Sequence, residues 1–71
     1  MSVTTQARAL FASSLRPCDH LDPGQVQRAI EEMLSALGPT GCLCAVAQEY
    51  GEHPESAAAR MRWALSQVDA A

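Results

Sequence analysis

The chain has 71 residues, 48% of them hydrophobic, and a formal net charge of −3. That length excludes more than one domain, and the ordinary apolar content excludes intrinsic disorder. The acidic balance disfavours a duplex-DNA binder, which usually carries a basic patch.

All five basic residues are Arg, and Lys and Asn are absent, a codon bias that points to a high-GC bacterial genome. With one Phe, one Tyr and one Trp, the core must be built largely from Ala, Leu, Val and Met. Such a core suits close helix packing and leaves little room for a deep cavity, so neither a small-molecule substrate nor a cofactor is implied. Residues 1–16 lack the basic start and apolar run of a secretory signal. No apolar stretch approaches the ~20 residues that cross a bilayer. A cytoplasmic location is therefore expected, with the three cysteines reduced.

In chain order, residues 3–15 place Val3, Ala7, Leu10, Phe11, Ser14 and Leu15 at helical spacing. Pro17 ends this first helix, because the residue before a proline avoids the α region. The second helix, 23–37, has the clearest start in the chain. Asp22 caps it, Pro23 occupies the first helical position, and Gln25 completes a capping box. Leu21 and Val26 are placed as a hydrophobic staple. Val26, Ala29, Ile30, Met33, Leu34 and Leu37 form its apolar stripe, and Gly38-Pro39 reads as its stop.

Thr40 then caps a third helix, 41–50, with Leu43, Val46, Ala47 and Tyr50 facing inward. Gly51 supplies a left-handed turn, and a fourth helix, 54–68, opens on Pro54. Ala58, Met61, Leu65 and Val68 are its core positions, Arg60 and Arg62 fall outside them, and Trp63 sits at the edge. The expected fold is thus all-α, one domain of four short helices, the last two joined by a tight Gly turn. Helices two and four would supply most of the core.

Four patterns could carry function. The last helix pair resembles a helix–turn–helix in outline, with Ala47 and Gly51 at fitting positions. Glu52 stands where that turn buries an apolar residue, Glu55 would meet phosphate, and Arg60 and Arg62 come late for base reading. Cys18, His20, Cys42 and Cys44, with His53, could supply zinc ligands. Their one-residue spacings are poor, since helical residues two apart point about 200° away from each other. Cys42 in a first helical turn is a candidate low-pKa thiol, although no Asp or Asn is placed to orient a base. Cys44 would be the small buried thiol, with Cys18 and Cys42 incidental.

The fourth pattern is Tyr50, Arg60, Arg62 and Trp63, residue types enriched at binding hot spots. The acidic residues Glu31, Glu32, Glu49, Glu52 and Glu55 would favour a basic partner surface. The preferred expectation is a non-enzymatic binding or regulatory module that docks the Arg60/Trp63 side of the last helix onto a protein partner or a second copy. A DNA-binding regulator and a small zinc protein are the alternatives.

Overall fold

The computed structural model describes residues 2–16 and 22–70. The described residues form three helices, α1 (Val3–Ala12), α2 (Pro23–Glu52) and α3 (Pro54–Ala70), not four. Ser2 caps α1, its side chain accepting the Thr5 N–H. The capping box of α2 forms as the sequence indicates. Asp22 Oδ1 accepts the Gln25 N–H at 2.8 Å, and Gln25 Oε1 accepts the Asp22 N–H at 3.0 Å. The expected staple partner Leu21 lies outside the described residues, as do Pro17, Cys18 and His20.

The expected end of the second helix at Gly38 is a break inside α2. Gly38 alone leaves helical geometry, at φ 72° and ψ 169°, and the helix resumes at Pro39. A proline has no N–H to lose at the first position after a break and its φ is already helical, so no intervening turn is needed. Thr40 therefore lies within α2 and not at a cap. The backbone region that Gly38 occupies is essentially closed to other residues. Three residues on, the fold is tight again: a Cβ at Gly41 would stand 2.8 Å from Leu37 Cβ.

Gly51 is not the turn. Among the described residues only Gly38 has a positive φ. Helix α2 runs to Glu52, and the junction to α3 is the single residue His53. The His53 N–H donates to the Glu49 carbonyl at 2.7 Å, and its own carbonyl accepts the Ala57 N–H at 2.8 Å. One residue thus closes one helix and opens the next.

Helix α1 is the centre of the packing, a role the sequence reading gave to helices two and four. Ala7, Ala9, Leu10 and Phe11 are all buried and lie around most of its circumference. It ends at Ala12, three residues short of the expected boundary, because Ser13 closes it locally. Ser13 Oγ donates to the Leu10 carbonyl at 2.6 Å and accepts the Leu15 N–H at 3.3 Å. Helix α2 contributes Val26, Ile30, Cys42 and Val46. Helix α3 contributes Ala57, Ala64 and Val68, with Met61 packed against them; Val68 and Met61 are as expected, while Ala57 and Ala64 take the places expected of Ala58 and Leu65. The radius of gyration is 11.0 Å, against about 11 Å for a packed chain of this size.

Substituting the glycines separates these backbone roles. Gly38→Ala is expected to cost of order 1–3 kcal/mol, because alanine is forced into a glycine-only conformation. Gly51→Ala, in a regular helix with open space above it, should instead stabilise by about 0.5–1 kcal/mol. Urea unfolding midpoints would show the opposite signs.

Candidate functional site

The sequence-indicated cluster divides in two. Arg60, placed outside the core by sequence, is half-buried and reaches across to α1. Its Nε donates to the Phe11 carbonyl at 2.8 Å and its Nη2 to the Ser13 carbonyl at 2.8 Å. These carbonyls lie at the C-terminal end of α1, where the last helical acceptors have no N–H of their own helix. The guanidinium also lies 5.7 Å from the Phe11 ring centroid and 5.0 Å from that of Trp63, within range of cation–π attraction. Burial pulls the Arg60 pKa below its ordinary value, and the Glu49 carboxylate pushes back. The side chain keeps its charge.

Tyr50 joins the same group, stacked on Phe11 with ring centroids 6.3 Å apart and planes 12° from parallel. Tyr50 and Arg60 thus meet on Phe11, and Trp63 lies against Arg60. Arg62, two residues along a helix from Arg60, points elsewhere and is exposed. Beside the group, Ser13, Arg16, Ala45, Gln48, Glu49 and Arg60 line an open cleft of about 490 Å³.

The cysteine assignment is reversed. Cys42 is fully buried and Cys44 is exposed. Cys42 Sγ faces the Met33 carbonyl at 3.8 Å, across the Gly38 break. Burial pushes its thiol above the ordinary value of 9.0, the opposite of the first-turn dipole effect. The two thiols are on opposite sides of one helix and do not converge on a metal. No group of three or more His, Cys, Asp or Glu side chains positioned for a metal occurs among the described residues. Among the described residues no helix is long and apolar enough to cross a membrane.

A surface that sequence reasoning assigned to the core lies outside it. Leu43 is 43% exposed and Tyr50 39%, and Thr40, Cys44, Ala47 and Gly51 are exposed with them. On a regular helix these six residues fall within an arc of about 120°. The arc carries no charge. By contrast, the first half of α2 exposes Arg28, Glu31 and Glu32, and α3 exposes Glu55, Arg62 and Asp69. The apolar pattern of residues 43–50 was legible, but only Val46 of it is spent on the core. Comparisons with known protein families, curated proteins and solved structures give no match for this chain.

Three measurements probe this arrangement. Arg60→Lys keeps the charge but loses the planar fork that meets two carbonyls, and should cost about 1.5–3 kcal/mol in chemical unfolding. In a Cys18→Ser background, Cys44 should react with a thiol reagent at once, and Cys42 only as the protein opens. Because the folded Cys42 pKa is raised, its contribution to stability is complete below about 9 and is lost as pH rises through the raised value. The unfolding midpoint should therefore fall on the alkaline side of pH 9, and Cys42→Ala should flatten that fall.

Proposed function

We propose that this chain is a non-enzymatic binding module that contacts another protein through the uncharged face of α2. The observation that carries this reading is the exposure of Leu43, Ala47 and Tyr50 together on one helical face without a charged residue among them. An apolar patch left on a small protein commonly marks an interaction site. The Phe11–Tyr50 stack supports one end of that face from the core side. A rigid aromatic residue at the edge of a contact loses little freedom on binding.

In this reading Arg60 and Trp63 serve as scaffold. Arg60 already donates to two backbone carbonyls, so a partner that took its guanidinium would open the end of α1. Tyr50 remains a contact residue, and Arg62 stands apart from it.

The DNA-binding alternative draws less support from the same geometry. A DNA-reading helix pair is usually joined by a turn of about three or four residues, and here the junction is His53 alone. Glu55 occupies the first turn of α3. The zinc alternative would need ligands beyond Cys42 and Cys44, which do not converge.

The test is site-specific photo-crosslinking in the producing cell. A photoreactive residue at position 47 should trap a discrete protein adduct, and the same residue at position 62 should not. Trapping at 62 with none at 47 would place the contact elsewhere on the molecule. Absence of adducts at both positions would overturn the reading.

A further inference from the structure

The junction at His53 is a bend in a hydrogen-bond ladder that runs through it. The His53 N–H donates to the Glu49 carbonyl at 2.7 Å, and the Ala57 N–H donates to the His53 carbonyl at 2.8 Å. Both are the four-residue step of an α-helix. The His53 backbone itself departs from helical values, at φ −140° and ψ 69°. Pro54 accounts for the departure. The residue before a proline avoids the α region, and in a straight helix the Pro54 ring would meet the Tyr50 carbonyl. Residues 52–56 are all exposed, so straightening the bend uncovers no core at the bend.

The two helices are in phase across it. Counted as one helix, apolar residues recur at alternating steps of four and three, the repeat of a helix that pairs with another. On α2 they are Leu43, Ala47 and Tyr50. Pro54 continues the series, and on α3 it runs through Ala57, Met61, Ala64 and Val68. The α3 members pack in the core, and the α2 members are the exposed face. The fold buries one half of a single stripe and leaves the other half bare.

We infer that α3 is an exchangeable arm: His53 straightens, residues 39–70 become one helix, and α3 of each of two copies packs in the core of the other. The inference deepens the reading above, rests on it, and makes the partner a second copy. A straight helix over residues 39–70 is ~48 Å long at ~1.5 Å per residue. The folded-back molecule measures 30 Å in its longest direction, so the straightened arm projects beyond its own body. In the pair, Arg60 of one copy donates to the Phe11 and Ser13 carbonyls of the other. The contacts that straightening breaks are thus remade between copies, a low-cost route to a dimer. The stripe follows one side of the straight helix. Seating Ala57, Ala64 and Val68 in the second copy therefore turns Leu43, Ala47 and Tyr50 toward that copy as well. Burial of those three is what exchange adds. Pro54 opposes it, and the folded-back form prevails until the chain is concentrated.

Sedimentation of the reduced full chain gives the association constant. Wild type refolded at ~1 mM should contain dimer that dissociates on dilution. Pro54→Ala should associate at least ~100-fold more tightly, the factor that one proline in a helix interior is worth. In that dimer, isotope-filtered NMR on mixed labelled and unlabelled chains should show Arg60–Phe11 contacts between chains, with Phe11–Tyr50 contacts kept within each chain. Leu43→Glu in the same background should weaken association at least ~10-fold and leave the helical circular dichroism unchanged.

A wild-type chain that stays monomeric at ~1 mM, or a Pro54→Ala variant no more associated than wild type, would overturn the inference. So would a dimer whose Arg60–Phe11 contacts stay within one chain, or one indifferent to Leu43→Glu. The photo-adduct at position 47 should have twice the mass of the chain. An adduct of any other mass would leave the reading above standing and overturn this inference alone.

Discussion

One guanidinium ties the third helix to the end of the first. Arg60 satisfies the carbonyls of Phe11 and Ser13 and lies against the rings of Phe11 and Trp63. Helix α1 is only ten residues long, too short to hold its shape alone, because isolated helices below ~12–15 residues are marginal in water. Ser13 closes the Leu10 carbonyl locally, and Arg60 takes the carbonyls of Phe11 and Ser13 that remain. Closing it with Arg60 sets the rotation of α3, and that rotation decides which alanines are buried. Ala57 and Ala64 turn inward, and Leu65 remains 36% exposed. A larger apolar residue is left partly in water so that the hydrogen-bond donor can reach its acceptors. The choice is physically reasonable: an unpaired buried carbonyl costs about 1–3 kcal/mol, more than half-burying one leucine recovers.

The break at Gly38 has a comparable reach. It redirects α2 without a loop, and the second half of that helix then packs through Cys42 and Val46. The close approach of Gly41 to Leu37 belongs to the same bend. So does the Cys42 contact with the Met33 carbonyl, which joins the two halves across it. Once Cys42 and Val46 define the buried direction, helical geometry places Leu43, Ala47 and Tyr50 on an adjoining face. The uncharged face is therefore a consequence of the bend, and its position follows from where Gly38 stands.

Local signals in the sequence were legible where one residue type has one strong use. Asp22, Pro23 and Gln25 announce a capped helix start, and the capping box forms. Gly38-Pro39 announces a departure from helical geometry, and Gly38 departs. The sequence could not show that the helix resumes at once, because a proline after a break serves equally as the start of a loop or of a helix. Gly51 misled for the converse reason. Glycine permits a left-handed turn but does not require one, and here Glu52 continues the helix. The phase at the start of α3 was hidden by composition. Ala57, Ala58 and Ala59 are adjacent and identical, so hydrophobic periodicity cannot choose among them, and only the long-range reach of Arg60 to α1 decides. Cys42 and Cys44 posed the same problem, two like residues on opposite sides of a helix with the bend deciding between them.

The core that results is poor in large side chains. Ala7, Ala9, Ala57 and Ala64 make up much of what is fully buried, and Leu10 and Cys42 are the largest side chains completely removed from solvent among the described residues. Alanine buries little apolar area, so such a core stabilises mainly by letting backbones approach closely. A chain this short buries only about 60% of its unfolded surface in any case. In that setting, holding Leu43 and Tyr50 at the surface is a sizeable forfeit of burial. Binding to the folded state alone returns it: a partner at ~100 times its dissociation constant adds about 2.7 kcal/mol, a large part of the stability that a single small core supplies. A protein built in this way would couple its folded population to any partner that covered that face. The face that withholds burial from the monomer is also the face through which that coupling would act.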